Sequence, residues 1–225
     1  MKKINLLAII AAVLVVIIIA VTLFFVFGNR TGKDNSGEIL NCSTVADVKE
    51  YIEQNKIESY SFDTDYCYIG NISVLGSNSD VEFLFKNEAT IQISVLYPLF
   101  QCIDENASEK ELESFDVMSY EFTQNDKKDI TNAFDKVKKG VENKLGCTLE
   151  KYDLIPTQNG LEIEDNEDKF YQGLFVREYS VRDRSGMLWL LRFEASYGLA
   201  QATLIKVVDD SGYEGFIPAI DMTKE

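Results

Sequence analysis

Side chains that could carry catalysis are few in this sequence. Histidine is absent, which excludes Ser-His-Asp triads, Cys-His dyads and histidine-ligated zinc or haem. The chain also lacks Gly-x-Ser-x-Gly, Ser-x-x-Lys, Gly-x-Gly-x-x-Gly and the phosphate-binding loop. These absences still allow an enzyme that uses carboxylates alone, and we expect no cofactor.

Two groups of acids are candidates for such chemistry. A run of acids in the second half could bind a hard cation such as calcium, which takes several oxygen ligands. The run lacks Asp-x-Asp-x-Asp-Gly spacing, and a run of charges is usually a solvated loop, so we expect no metal site. Asp63 and Asp65 lie two apart on a predicted strand, where they could serve glycosidase chemistry or simply face water. The acidic run consists of Glu162, Glu164, Asp165, Glu167 and Asp168.

The four cysteines, Cys42, Cys67, Cys102 and Cys147, form an even set without a Cys-x-x-Cys motif. The spacing therefore indicates neither a zinc ribbon nor a thioredoxin-like site. In an exported domain such a set predicts two disulfides, and we expect Cys67 to pair with Cys102 and Cys42 with Cys147. The alternative is four buried thiols that behave as small apolar side chains.

Aromatic residues alternate with polar ones at Tyr60, Phe62, Tyr66 and Tyr68. Alternate residues of an extended segment point to the same side, so this pattern predicts an aromatic stripe on one face. An exposed stripe could stack against sugar rings or peptides, whereas a buried one would be ordinary core packing. We take these four residues as a candidate binding face.

The N-terminus carries the clearest signal. Residues 6–27 contain one polar side chain, Thr22, and follow Lys2 and Lys3. A helix of this length spans roughly 33 Å, enough to cross a bilayer core of about 30 Å. No small-x-small cleavage site follows it, so we predict an uncleaved signal anchor in contact with membrane lipid.

The charges around this segment favour a cytoplasmic N-terminus. We therefore predict a cytoplasmic tail (1–5), a transmembrane signal anchor (6–27), a flexible stalk (28–38) and an extracytoplasmic domain (39–225). The stalk is polar and contains three glycines, which is typical of a flexible linker. The protein would then be a single-pass protein of the cell membrane.

The overall composition excludes other classes of protein. The chain has 37 acids against 22 bases, a net charge of -15, and is 46% hydrophobic. That balance excludes a basic nucleic-acid binder and a generic disordered chain. We expect no nucleic acid partner.

Hydrophobic periodicity predicts an α+β domain of antiparallel sheet with helices on one face. One helix is predicted from Val45, Val48 and Ile52, and a longer one from apolar residues that recur every three or four positions and stop at Gly146. An alternative is two helix-plus-meander units, residues 39–105 and 106–225. Because of this order of elements, such a pair would resemble tandem cystatin-like modules. The periodic residues of the longer helix are Ile130, Phe134, Val137, Val141 and Leu145.

These features favour a membrane-anchored extracytoplasmic binding, sensing or scaffold domain without catalytic activity. Its partner would be an envelope protein, a polymer or a small ligand. The alternative is a glycosidase-like surface hydrolase that uses Asp and Glu carboxylates alone.

Overall fold

A computed structural model describes residues 36–102, 120–149, 175–196 and 198–224. Within these ranges no helix is long and apolar enough to cross a membrane. The predicted transmembrane segment, 6–27, lies outside them. The last three residues of the predicted stalk, 36–38, belong to a single helical turn.

The helices begin and end where side-chain chemistry favours it. Both longer helices have a capping box, in which Thr44 pairs with Asp47 and Thr123 with Asp126, so that two otherwise unpaired backbone N–H groups are satisfied at each start. The longest helix ends at Gly146, which adopts a left-handed conformation. The helices are α1 (Ser36–Ile39), α2 (Val45–Asn55) and α3 (Gln124–Leu145).

The strands form one sheet of eight, in the order β1-β2-β3-β4-β7-β6-β5-β8. All neighbours are antiparallel except β5 and β8. The fold is therefore α+β, as predicted, with a mixed sheet because of β8. The strands are β1 (Tyr60–Phe62), β2 (Tyr66–Val74), β3 (Ser77–Lys86), β4 (Ala89–Gln101), β5 (Phe175–Arg182), β6 (Leu188–Ser196), β7 (Leu199–Val207) and β8 (Ile220–Asp221).

The centre of the sheet joins two meanders. Strands β1 to β4 run consecutively, strands β5 to β7 run consecutively, and β4 pairs with β7 from Gln92 opposite Val207 to Gln101 opposite Leu199. The two meanders are therefore one continuous sheet.

Both longer helices lie on the same face of this sheet. Phe134 of α3 stacks on Phe193 of β6 with ring centroids 4.6 Å apart. Helix α2 buries Val48, Tyr51 and Ile52 in the same hydrophobic core. This face carries the main core of the described residues.

The opposite face is covered differently along its length. Near β6 and β7, Leu188, Leu190 and Val207 pack in a smaller cluster with Tyr213 and Phe216. Over β2, β3 and β4 the side chains on this side are half-buried or exposed, apart from that of Asp80, which is buried. We call this part the open face; its members include Tyr66, Tyr68, Glu82, Leu84 and Ser94.

Candidate functional site

Two tyrosines of β2 stand beside acidic residues of β3 on the open face. Tyr68 is directly opposite Glu82, and Tyr66 is opposite Leu84. Directly opposed and diagonal residues of an antiparallel pair are close enough for their side chains to interact. The Tyr66 hydroxyl accordingly donates a hydrogen bond to Oε1 of Glu82 at 3.1 Å.

The second tyrosine is hydrogen-bonded to Asp80, whose side chain is buried. Asp80 is only 3% exposed, and its carboxylate accepts hydrogen bonds from the Tyr68 hydroxyl and from the Asn71 backbone N–H, the latter at 2.8 Å. Both hydrogen bonds satisfy a carboxylate that would otherwise be costly to bury.

A bulge in β2 makes this arrangement possible. The register between β2 and β3 shifts between Ile69 and Ile72, and Asn71 within the shift has a left-handed φ of 57°. Gly70 has no side chain, and a Cβ there would lie 3.0 Å from the Tyr68 hydroxyl oxygen. The bulge directs the Asn71 N–H to Asp80, and the glycine leaves room for the Tyr68 ring.

The electrostatics keep the tyrosines protonated. Burial raises the pKa of Tyr66 and of Tyr68, and the neighbouring carboxylates raise both further. Burial also raises the pKa of Asp80, although its two hydrogen bonds oppose that shift. Both phenols therefore remain hydrogen-bond donors to the acids, and their own oxygens stay available as acceptors.

The site therefore presents acceptors to an incoming group. The phenol hydrogens of Tyr66 and Tyr68 are already given to carboxylates, so what remains on the surface is oxygen lone pairs. Beside them, Leu84 is 38% exposed and offers apolar contact. This combination suits a ligand that brings hydroxyl or ammonium donors on an otherwise apolar surface.

The predicted aromatic stripe is wrong as a single face. Tyr60 is opposite Ile69, and Phe62 is opposite Cys67, so both lie on the helix side, whereas Tyr66 and Tyr68 lie on the open face. Phe62 stacks on Phe85 at 5.8 Å and has the Lys49 ammonium 5.1 Å from its ring centroid. The alternation fails because the chain turns between Phe62 and Tyr66, which places the two pairs on different strands.

That turn also holds the acids considered for glycosidase chemistry. Asp63 and Asp65 lie in the loop between β1 and β2 and not on a strand face, and both are exposed. Asp63 accepts the Thr64 N–H at 2.7 Å, and the Asp65 carbonyl accepts the Phe85 N–H at 2.9 Å. They shape a turn and do not form a facing pair.

None of the four cysteines, all of which the structure describes, forms a disulfide. Cys67 lies in the same cross-strand row as Ile93 of β4. Cys102 is nine residues after Ile93, so at the rise of a strand it lies roughly 30 Å from that row. A disulfide needs Cα atoms about 4.4 to 6.8 Å apart, so this fold does not allow the predicted Cys67–Cys102 bond. The Cys42–Cys147 bond stays a prediction; both residues contact the main core.

The described residues contain no group of three or more Cys, Asp or Glu side chains that could hold a metal ion. The acidic run from Glu162 to Asp168 lies outside them.

A groove of about 610 Å³ runs beside the end of α3, and two of its charged groups, Lys138 and Glu142, are already paired. Glu142 forms a salt bridge of 3.1 Å with Lys138 and accepts the Leu149 N–H at 2.8 Å. These bonds secure the end of the helix and the residues that follow it. The groove therefore carries less available chemistry than the open face.

Sequence reasoning missed Asp80 and Glu82. The signal was present, since Val81, Phe83 and Phe85 alternate with Asp80, Glu82 and Leu84, which predicts one buried and one solvated face of a strand. The bulge that brings Asn71 and Tyr68 to Asp80 has no such pattern in the sequence.

Comparisons with protein-family models, with curated proteins and with solved structures found no match to this chain.

Proposed function

We propose that this protein is a single-pass membrane protein whose extracytoplasmic domain binds a partner through the open face and catalyses no reaction. The apolar segment 6–27 supports the anchor, and the Lys2 and Lys3 charges support a cytoplasmic N-terminus. The observation that carries the binding role is the pairing of two tyrosines with two carboxylates on the open face.

The chemistry of the open face favours some partners over others. Its acceptors match hydroxyl groups of a sugar polymer or ammonium and guanidinium groups of a basic peptide segment. The rings of Tyr66 and Tyr68 and the side chain of Leu84 would contact the apolar parts of either. The partner would be an envelope protein, a polymer or a small ligand of this kind, with the net negative charge of the protein favouring a cationic one.

A hydrolase is the second candidate, because Asp80 and Glu82 lie two apart on one strand face and burial raises the pKa of Asp80. Raised carboxyl pKa values are typical of general acids. Against this, Asp80 is buried, and its carboxylate already accepts hydrogen bonds from the Tyr68 hydroxyl and the Asn71 N–H. A substrate would have to displace these partners. We therefore favour binding.

Tandem cystatin-like units remain part of the proposal for the architecture. Helix α2 precedes the meander β1 to β4, and helix α3 precedes the meander β5 to β7. The pairing of the last strand of each meander, β4 with β7, is what two copies of one unit joined edge to edge would give.

Photo-crosslinking in cells tests the binding role. A photo-reactive residue at Leu84, on the open face, should capture a discrete partner, while the same residue at Asn132, exposed on α3, should capture little. Replacement of Tyr66 by alanine should reduce capture from position 84. Equal capture from both positions would contradict a binding role for the open face.

Membrane topology needs its own measurement. A membrane-impermeant reagent added to intact cells should label lysines of the domain, for example Lys128 and Lys139, whereas a lysine label at Lys2 or Lys3 should need lysed cells. Protection of the domain in intact cells would overturn the extracytoplasmic assignment.

Hydrolysis of a wall polymer by the wild-type protein that is lost in Glu82→Gln would favour the second candidate function, the hydrolase.

A further inference from the structure

A lysine interrupts an apolar row on the helix side of the sheet. One residue from each of the eight strands lies in this row, and Lys206 is its one charged member. The row runs through Phe62, Cys67, Phe83, Ile93, Lys206, Trp189, Val181 and Ile220.

Lys206 is held by the chain that enters the domain. Its ammonium donates a hydrogen bond of 2.7 Å to the carbonyl oxygen of Leu40 and lies 5.7 Å from the centroid of the Trp189 ring. No described acid lies within salt-bridge distance of the ammonium. The Leu40 carbonyl is therefore the main polar partner of a half-buried charge.

The segment around Leu40 is docked at two points. Ile39 and Leu40 are 0% and 1% exposed, which fixes the first point beside Lys206. The second point is at β4, where the Thr90 N–H donates to the Ser43 carbonyl at 2.8 Å and Thr44 bridges to Ala89. We call residues 36–43 the strap.

The strap is also the part of the domain nearest to the predicted membrane anchor along the chain. A force applied through residues 28–35 would reach the Lys206–Leu40 hydrogen bond before it reached any strand. Release of the strap would expose the buried side chains of Ile39, Leu40 and Cys42. It would break the bond from the Thr90 N–H to Ser43 and would leave the hydrogen bonds between strands in place. The docked state therefore dominates at rest, while tension or a partner favours release.

We propose that the strap is releasable, that Lys206 latches it, and that its release sets how far the domain reaches from the membrane. The reach rests on the proposed membrane anchoring, whereas the latch does not. With the strap docked, residues 28–35 span at most about 27 Å. With it released, residues 28–43 span at most about 54 Å, so the domain gains access to partners twice as far away.

Hydrogen exchange of the full chain in detergent tests the latch without reference to topology. The Thr90 N–H, which donates to the Ser43 carbonyl, reports docking of the strap. The Asn41 and Cys42 N–H groups, which bond to Glu38 and Ile39 within the strap, report its local turn. In Lys206→Met the Leu40 carbonyl loses its donor, and exchange of the strap amides and of Thr90 should rise about tenfold to a hundredfold, with exchange in β3 and in the other β4 amides unchanged. In Lys206→Arg, which retains a donor, exchange of the strap should rise less than in Lys206→Met. Lys144→Met is the control for loss of a nearby charge.

The wild-type chain provides a test that does not depend on a variant. In low urea the strap amides should exchange by a local opening, with a smaller urea dependence than the β4 amides. Exchange of the strap and of β4 with the same free energy and the same urea dependence would overturn the latch.

Reach is measured separately, with the full chain in a lipid nanodisc. Energy transfer from a dye on Lys139 to labelled lipid should fall in Lys206→Met compared with Lys206→Arg. Faster strap exchange with unchanged energy transfer would overturn the role in reach but keep the latch, and a domain found in the cytoplasm would overturn the anchoring topology alone.

Discussion

The backbone of Gly140 in α3 packs directly against the backbone of Leu75, in the turn between β2 and β3. A Cβ at position 140 would lie 2.7 Å from the Leu75 carbonyl oxygen and 3.1 Å from the Leu75 Cβ. The turn cannot easily move away, since Leu75 itself has a left-handed φ of 52° and is followed by Gly76 at 76°. The second half of α3 therefore rests on the sheet through a residue that has no side chain.

Gly140→Ala should destabilise the protein because the added methyl group collides with backbone. We expect the free energy of unfolding to fall by about 1 to 3 kcal/mol. In an unhindered helix the same change would stabilise by about 1 kcal/mol, so the sign of the effect is decisive. Urea unfolding of the full chain measures it, with the exposed Asn132→Ala as the control; a more stable Gly140→Ala variant would contradict the packing.

Asp80 should make stability depend on pH. Its pKa is raised above 3.8 by burial, so the folded chain binds this proton more tightly than the unfolded chain, and stability falls as the pH rises between the two values. Asp80→Asn removes this titration and keeps one acceptor oxygen. The unfolding free energy of the variant, minus that of the wild type, should therefore grow more positive as the pH rises through this window.

Urea midpoints of both proteins measured from about pH 4 to pH 7 cover the ordinary range of carboxyl pKa values and the region above it. A difference that stays constant over this range would show that the buried carboxylate titrates as it does in the unfolded chain.

The start of α3 should depend on Thr123. Its hydroxyl accepts the Asp126 N–H at 3.2 Å, and Thr123→Ala should cost about 1 kcal/mol of stability. Thr131→Ala is a matched control within the same helix, because this exposed threonine bonds only to the Lys127 carbonyl within its own turn; its effect should stay within about 0.5 kcal/mol. Thermal or urea unfolding compares the two, and equal losses would argue against the cap.

Cys67 should be unreactive until the protein unfolds. It is 0% exposed, and burial raises its pKa to about 12, so little of the reactive thiolate forms near neutral pH. Iodoacetamide followed by mass spectrometry should find Cys67 unmodified in the native protein and modified after unfolding without reductant. A peptide in which Cys67 is linked to Cys102 would contradict the strand register.

Local features could be predicted from the sequence where they depend on neighbouring residues. The helix around Val45, Val48 and Ile52 and the longer helix that stops at Gly146 are confirmed. The longer helix begins at Gln124, because the capping residue is Thr123, whose partner Asp126 stands three positions later.

Features that depend on distant residues could not be predicted in the same way. The pairing of β4 with β7 leaves no local trace, since either strand would have the same alternation at the edge of a sheet. The split of Tyr60 and Phe62 from Tyr66 and Tyr68 depends on one short turn at residues 63–65, which reverses the chain where the alternation looks unbroken. The hydrogen bonds to Asp80 depend on the bulge at Asn71, which shifts the register of β2.

The join between β4 and β7 has a consequence for synthesis. During translation the first meander is complete long before β7 leaves the ribosome. The edge of β4 that later pairs with β7 therefore has no partner strand for most of that time. An uncovered strand border of this length invites pairing with other chains. A nascent polypeptide of this kind would benefit from a chaperone until its last strands arrive.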